Sequence, residues 1–233
     1  MIIIEGGEES GSPDLMHYVQ QLSDEIGIPS LIICLDSGCG NYDQVRKFLN
    51  FLFFCHFLKI IILILIFDQK MWLTASLRGL VAVNLRVDIL TEGVHSGKAS
   101  GIVPSSFRIH RLLLDRLEDA KTGNVIPKDL HVEIPPVRIA QAHQAAEFLG
   151  SEIVTQFPWV NGAIRDDLPL GELLLNETWR PTVSVTGVDG IPPTAIAGNV
   201  LRPFTTFTLS IRTPPSLNAA DAAKVVKDLL EKA

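Results

Sequence analysis

Residues Phe48 to Phe67 read FLNFLFFCHFLKIIILILIF, an apolar run of 20 residues interrupted only by Asn50, His56 and Lys59. An α-helix needs about 20 apolar residues to cross a bilayer, so this stretch constrains the chain more than any other. Either it spans a membrane or it interrupts a water-soluble protein. It lies too far from Met1 for an ordinary signal peptide, and no small-residue cleavage site follows it. Arg46, Lys47, Lys59 and Lys70 fall within or beside it, against one acid, Asp68. The whole chain has 20 Lys plus Arg and 26 Asp plus Glu, a formal net charge of -6. The remainder is therefore more acidic still, and reads as a soluble protein with a greasy insert. That balance excludes a nucleic-acid binder, whose footprint is a basic patch. Cys34, Cys39 and Cys55 form no C-x-x-C pair and no disulfide framework, which predicts a reducing, cytoplasmic setting.

The segment before the insert reads as strand, helix, strand. Ile2 to Ile4 is a β-branched run that predicts a buried strand, ended by Gly6 and Gly7. Ser12-Pro13-Asp14 places Ser at an N-cap, Pro at the first helical position and Asp in the first turn. Leu15, Tyr18, Val19, Leu22 and Ile26 then share one helix face, and Gly27 with Pro29 stops it. Leu31 to Leu35 predicts a second strand, closed by Asp36-Ser37-Gly38. This order predicts a parallel, right-handed crossover unit. Ligands of such sheets sit beyond the carboxyl ends of the strands, where Glu8, Glu9 and Asp36 fall.

After the insert the pattern changes. Leu80 to Leu90 alternates as a strand with one solvated face, and Ser105 or Ser106 caps a helix to about Glu118, with Ile109, Leu112, Leu113 and Leu117 inward. A loop over 121–128 precedes a helical stretch from Val137 to about Val154. Strands over Thr182–Thr186 and Thr205–Ile211 flank a Gly/Pro-rich loop, and Asn218 or Ser216 caps a last helix. This order suits an antiparallel sheet in a separate α+β layer.

Glu8 and Glu9 are adjacent carboxylates in a Gly/Ser-rich turn. They read as a solvated acidic turn, or as a metal site in which one carboxylate binds a cation and the other handles a proton. Asp36 supports the second reading and would serve equally as a turn residue. His95 stands alone in GVHSG, a pattern met in surface loops as well as in sites. His17, His110, His131 and His143 have no ligand spacing to one another. They read as ordinary helix or surface residues, and Cys34 as a strand core residue.

Five segments occur in one order: IEGGEESGSPDL (Ile4 to Leu15), LDSGCGNY (Leu35 to Tyr42), WLTASLRGL (Trp72 to Leu80), TEGVHSGKASGIVPSS (Thr91 to Ser106) and GNVLRP (Gly198 to Pro203). Together they resemble the dinuclear zinc exopeptidases of metallopeptidase family 20, and within it the dipeptidase branch. The resemblance implies an α/β chain: a partial zinc-peptidase catalytic domain with a parallel or mixed sheet, plus an α+β, ferredoxin-like lid that dimerises. It assigns 1–44 and 71–79 to the catalytic part, 45–70 to the insert and 80–233 to the lid. It implies Glu9 and Asp36 as ligands of two zinc ions (manganese or cobalt in their place), with Glu8 the general base. It implies His95 as an oxyanion donor reaching a partner subunit's site. Asn199 and Arg212 become contacts to a small peptide substrate, Arg212 through its terminal carboxylate.

The sequence departs from that family in two ways. The family's His-x-Asp segment, its metal-bridging Asp and its final His have no counterpart here, and two carboxylates do not hold a dinuclear zinc site. The expectation is a chain that binds zinc poorly and is inactive alone. The family also runs almost directly from NYDQ (Asn41 to Gln44) to Trp72. Residues 45–70 read as a retained intron, since Val45-Arg46-Lys47 can be encoded by GTAAGA. No genuine membrane partner is then expected. A non-catalytic dimerisation module and a single-pass membrane protein are the alternatives.

Overall fold

The computed structural model describes residues 1–8, 12–34, 77–163 and 167–232. Glu9, Asp36, Cys39, Cys55, His56, Trp72 and the insert lie outside them. The chain divides into two units, Met1–Cys39 and Gly40–Ala233.

The first unit is helical where it is regular. Helices α1 (Leu15–Gln21) and α2 (Ser23–Ile26) are separated by Leu22, so the single expected helix is broken. Asp14 rather than Ser12 stands at the N-cap, because Ser12 takes a positive φ of 51°. Neither expected strand forms. Residues 2–4 and 31–34 carry no ladder, and Ile2 and Ile4 are 88% and 92% exposed. Cys34 is exposed as well, which corrects its reading as a core residue. A parallel strand is held by neighbours on both sides and cover on both faces. The described residues of this unit supply neither.

The second unit is built on an antiparallel sheet of β1 (Gly79–Asp88), β3 (Thr182–Asp189) and β5 (Phe204–Thr213), in the order β1-β5-β3. The sheet is antiparallel, as the order of elements after the insert predicts for the lid, while the parallel or mixed sheet expected of the catalytic part does not form among the described residues. Central β5 alternates with period two: Thr205, Phe207, Leu209, Ile211 and Thr213 are buried, and the residues between them less so. Helix α4 (Ser106–Leu117) and helix α8 (Ala219–Glu231) cover the buried face. Ala222, Val226 and Leu230 recur at intervals of four and turn one stripe of α8 inward. They pack with Val81, Leu117, Val125, Leu130, Phe207, Leu209 and Ile211 in one core. Full burial of each large aliphatic chain contributes about 1.5–3 kcal/mol. On α4 the inward residues include Ser106 and His110, whereas Leu112 is 58% exposed, outside the face assigned to it from sequence.

Elements β1, α4, β3, β5 and α8 follow the β-α-β-β-α order of a ferredoxin-like fold. In β3 the register moves from Val185↔Leu209 to Gly187↔Thr208, leaving Thr186 as the extra residue of a bulge. Between α4 and β3 lie α5 (Pro136–Leu149), α6 (Glu152–Thr155) and α7 (Leu170–Thr178). Gly150, at φ 54°, separates α5 from α6 and divides the expected single helix. Helix α7 had no counterpart in the sequence reading.

Candidate functional site

A two-stranded ribbon forms where the Gly-rich segments meet. β2 (Val94–His95) pairs antiparallel with β4 (Val200–Leu201), in the register Val94↔Leu201 and His95↔Val200. The Ser96 N–H donates to the Asn199 carbonyl at 2.9 Å, fixing the two segments one residue beyond the ladder. Helix α3 (Ser96–Ala99) starts from His95 as its N-cap residue. Two glycines permit this close approach. A Cβ on Gly93 would stand 2.8 Å from Val200 Cγ1, and one on Gly97 would stand 2.9 Å from His95 Cε1. The His95 imidazole therefore lies against the Gly97 backbone, and any larger residue there displaces the ring.

The ribbon is anchored to one end of the sheet. The Ile89 and Leu90 N–H groups donate to the Pro203 carbonyl at 2.8 and 3.1 Å, just beyond the Asp88↔Phe204 pair. His95 and Asn199, drawn from distant parts of the sequence, are thus both exposed on one short ribbon, one register step apart. An imidazole and a carboxamide at such a place can both donate hydrogen bonds to a carbonyl oxygen that gains charge.

Arg212 is not part of this group. It sits exposed at the opposite end of β5, across from Leu80 on β1 and Thr182 on β3. Eight residue steps of extended strand, about 27 Å, separate Phe204 from Arg212. Beside it is Arg78, which sequence reasoning passed over although it lies in the WLTASLRGL segment. Arg78 Nη1 donates to the Asn176 carbonyl at 3.2 Å, the Arg180 carbonyl at 3.3 Å and Thr182 Oγ1 at 3.2 Å. Burial, and then the charge of Arg212, lower the Arg78 pKa from its usual value, with Glu177 opposing. The same corner holds a second polar cluster. Arg180 Nη2 donates to Glu172 Oε2 at 2.6 Å, Arg180 Nη1 to Asn176 Oδ1 at 2.8 Å, and His143 Nε2 stands 3.4 Å from Glu172 Oε1. Arg180's hydrogen bond holds the Glu172 carboxyl below its ordinary range, with burial opposing.

Glu8 is exposed and belongs to the first unit. Glu9 and Asp36 lie outside the described residues. Among the described residues no three His, Cys, Asp or Glu side chains converge on a metal position. The donors among the described residues do not by themselves make up a zinc pair. Among the described residues, no helix is long and apolar enough to cross a membrane.

The profile of the peptidase dimerisation domain, M20_dimer, matches residues 75–233. The fold is similar to that of three solved peptidases. The di-peptidase Dug1p of Saccharomyces cerevisiae aligns with a TM-score of 0.60 at 20% identity, over 97% of this chain and 42% of its own. Human carnosine dipeptidase 1 gives 0.52 at 21% identity, over 70% and 36%. The M20 family metallo-carboxypeptidase Sso-CP2 of Sulfolobus solfataricus gives 0.51 at 16% identity, over 67% and 40%. The chain therefore matches well under half the length of each. A search of curated protein sequences found no match.

Proposed function

This chain belongs to the M20 peptidase dimerisation-domain family, and from that premise we propose that it derives from a metal-dependent hydrolase of dipeptides or similar small peptides. In this reading His95 donates to the oxyanion of the tetrahedral intermediate. Asn199 orients the substrate, and the planar fork of Arg212 takes its free carboxylate. Glu8 would act as general base, with Glu9 and Asp36 as ligands of two zinc ions. Those three roles rest on the sequence resemblance alone.

One observation carries the reading: the distance between the two ends of the sheet. A dipeptide spans only about 7 Å, far less than the length of β5 that separates Phe204 from Arg212. One copy of this unit cannot bring His95, Asn199 and Arg212 onto one small peptide. Two copies can, if the His95 ribbon of one reaches the Arg212 end of the other. The arrangement supports a homodimer in which the substrate site is shared. We place the protein in the cytoplasm on its cysteine usage.

The match of the dimerisation domain to most of the chain also supports a second reading, a non-catalytic dimerisation module. Sedimentation of the purified 233-residue chain, with a dipeptide assay in added zinc, tests both. A dimer without turnover is expected. A strict monomer at high micromolar concentration overturns the shared site, and stoichiometric zinc with dipeptide turnover overturns the inactivity of the isolated chain.

A further inference from the structure

We propose that Arg78 is a positioning residue for Arg212: it ties down the corner on which the Arg212 guanidinium stands and fixes the direction in which that guanidinium meets a carboxylate. This rests on the reading of Arg212 as the carboxylate contact. The three acceptors of Arg78 Nη1 belong to the last turn of α7, to the connector at Arg180 and to the first residue of β3. A single Nη1 carries two hydrogens, so the three acceptors share them, and any shift of the corner lengthens at least one bond. Thr182, the third acceptor, is the residue directly across the strand from Arg212. Leu80, two positions after Arg78, is its neighbour on the other side. Arg212 therefore stands between the two ends of one tether.

Charge acts in the same direction. Arg78 and Arg212 are like charges close enough to interact. Arg78 is held by its three acceptors, so the repulsion favours orientations of the exposed Arg212 guanidinium that point away from the corner. Among the described residues no carboxylate forms an ion pair with Arg212, so its fork stays open to an incoming anion. Lysine at position 78 keeps the charge but is a compact ammonium without the planar fork, and does not reproduce the tether.

NMR titration of the full 233-residue chain with glycylglycine and with glycylglycinamide tests this. Wild type prefers the acid to the amide, and Arg212→Ala removes the preference. Arg78→Lys weakens glycylglycine binding about tenfold and makes the Arg212 Nε–H signal mobile in heteronuclear relaxation, while the rest of the spectrum keeps its dispersion. Thr182→Val, which removes one acceptor and leaves Arg78 in place, moves both readouts in the same direction by less, and serves if Arg78→Lys unfolds. Wild-type affinity with an unchanged Arg212 signal, in Arg78→Lys or in Thr182→Val if the former unfolds, overturns the role of Arg78 and leaves that of Arg212 standing. Absence of an acid preference in wild type, or its persistence in Arg212→Ala, overturns the Arg212 reading and this proposal with it.

Discussion

His110 is fully buried beneath β5, with Nε2 at 2.8 Å from the Thr205 carbonyl and its ring stacked on Phe207 at 4.2 Å. A carbonyl only accepts, so Nε2 carries the proton, and Nδ1 has no hydrogen-bond partner among the described residues. Ser106 Oγ and Thr205 Oγ1, 2.7 Å apart, complete a small polar group under the sheet. Replacing His110 with Ala removes the stack, frees a buried carbonyl and leaves a cavity, at a cost of about 3 kcal/mol. Urea unfolding at neutral pH reads this directly, and a loss below about 1 kcal/mol would contradict the packing described. The sequence pattern assigned Ile109 and Leu112 to the inner face of this helix because they are apolar. It passed over His110, because a polar residue becomes a core residue only when a strand brings it a carbonyl, and that partner lies 95 positions away. His95 was singled out only by the family resemblance, since GVHSG by itself reads as a surface loop as readily as a site. The structure gives its glycines a use, because positions 93 and 97 leave room for Val200 and for the His95 ring.

At the scale of elements, helix ends were legible where a side chain does the capping. Asn218 Oδ1 accepts from the Ala220 N–H at 2.8 Å and the Asp221 N–H at 3.4 Å, satisfying two of the free donors at the start of α8. Asn218→Ala costs about 1 kcal/mol and Asn218→Asp largely restores it, measurable as shifts in the thermal midpoint. Helix α7 was not legible. Its run LGELLLNET is short, carries a glycine, and starts after Pro169 with no side-chain cap. Tertiary partners hold it instead: Glu172 engages Arg180 and His143, and Arg78 engages the Asn176 carbonyl. These contacts make a pH prediction. The Glu172 carboxyl is lowered in the folded state, first by Arg180's hydrogen bond. A lowered folded pKa stabilises above the unfolded value, and that contribution is lost as pH falls through the folded value. Both side chains are about one-third exposed, so solvent screening limits the pair to about 1 kcal/mol or less. Glu172→Gln should therefore be less stable than wild type at pH 7, with the gap closing as pH falls through and below the carboxylate range. A gap that stays constant from pH 7 to pH 3 would refute the ion pair as its source.

Across the whole molecule, the two units respond differently to the same kind of sequence signal. β5 and the residues 2–4 are both β-branched or apolar runs, yet β5 has a partner on each edge and helices over one face, while Ile2 and Ile4 stay exposed. Strand propensity describes a residue that fits a half-buried pleated surface, and only the sheet supplies that surface. The antiparallel layer was legible because its contacts close within the chain given: β1 and β5 pair along their full length, and α4 and α8 cover them. The parallel unit was not, because two apolar runs around a helix specify a crossover only when neighbouring strands complete it. The same reasoning separates the origins offered for residues 45–70. If that segment is foreign to the fold, deleting it leaves the sheet, its two covering helices and their core intact. The shortened chain should then unfold at the same urea midpoint as the parent, with a higher soluble yield because an apolar run no longer promotes association. The result to set against this is fractionation of the parent. If it stays with membranes after carbonate washing and only the deletion variant is released, the segment is a membrane span, and the soluble-dimer reading fails with it.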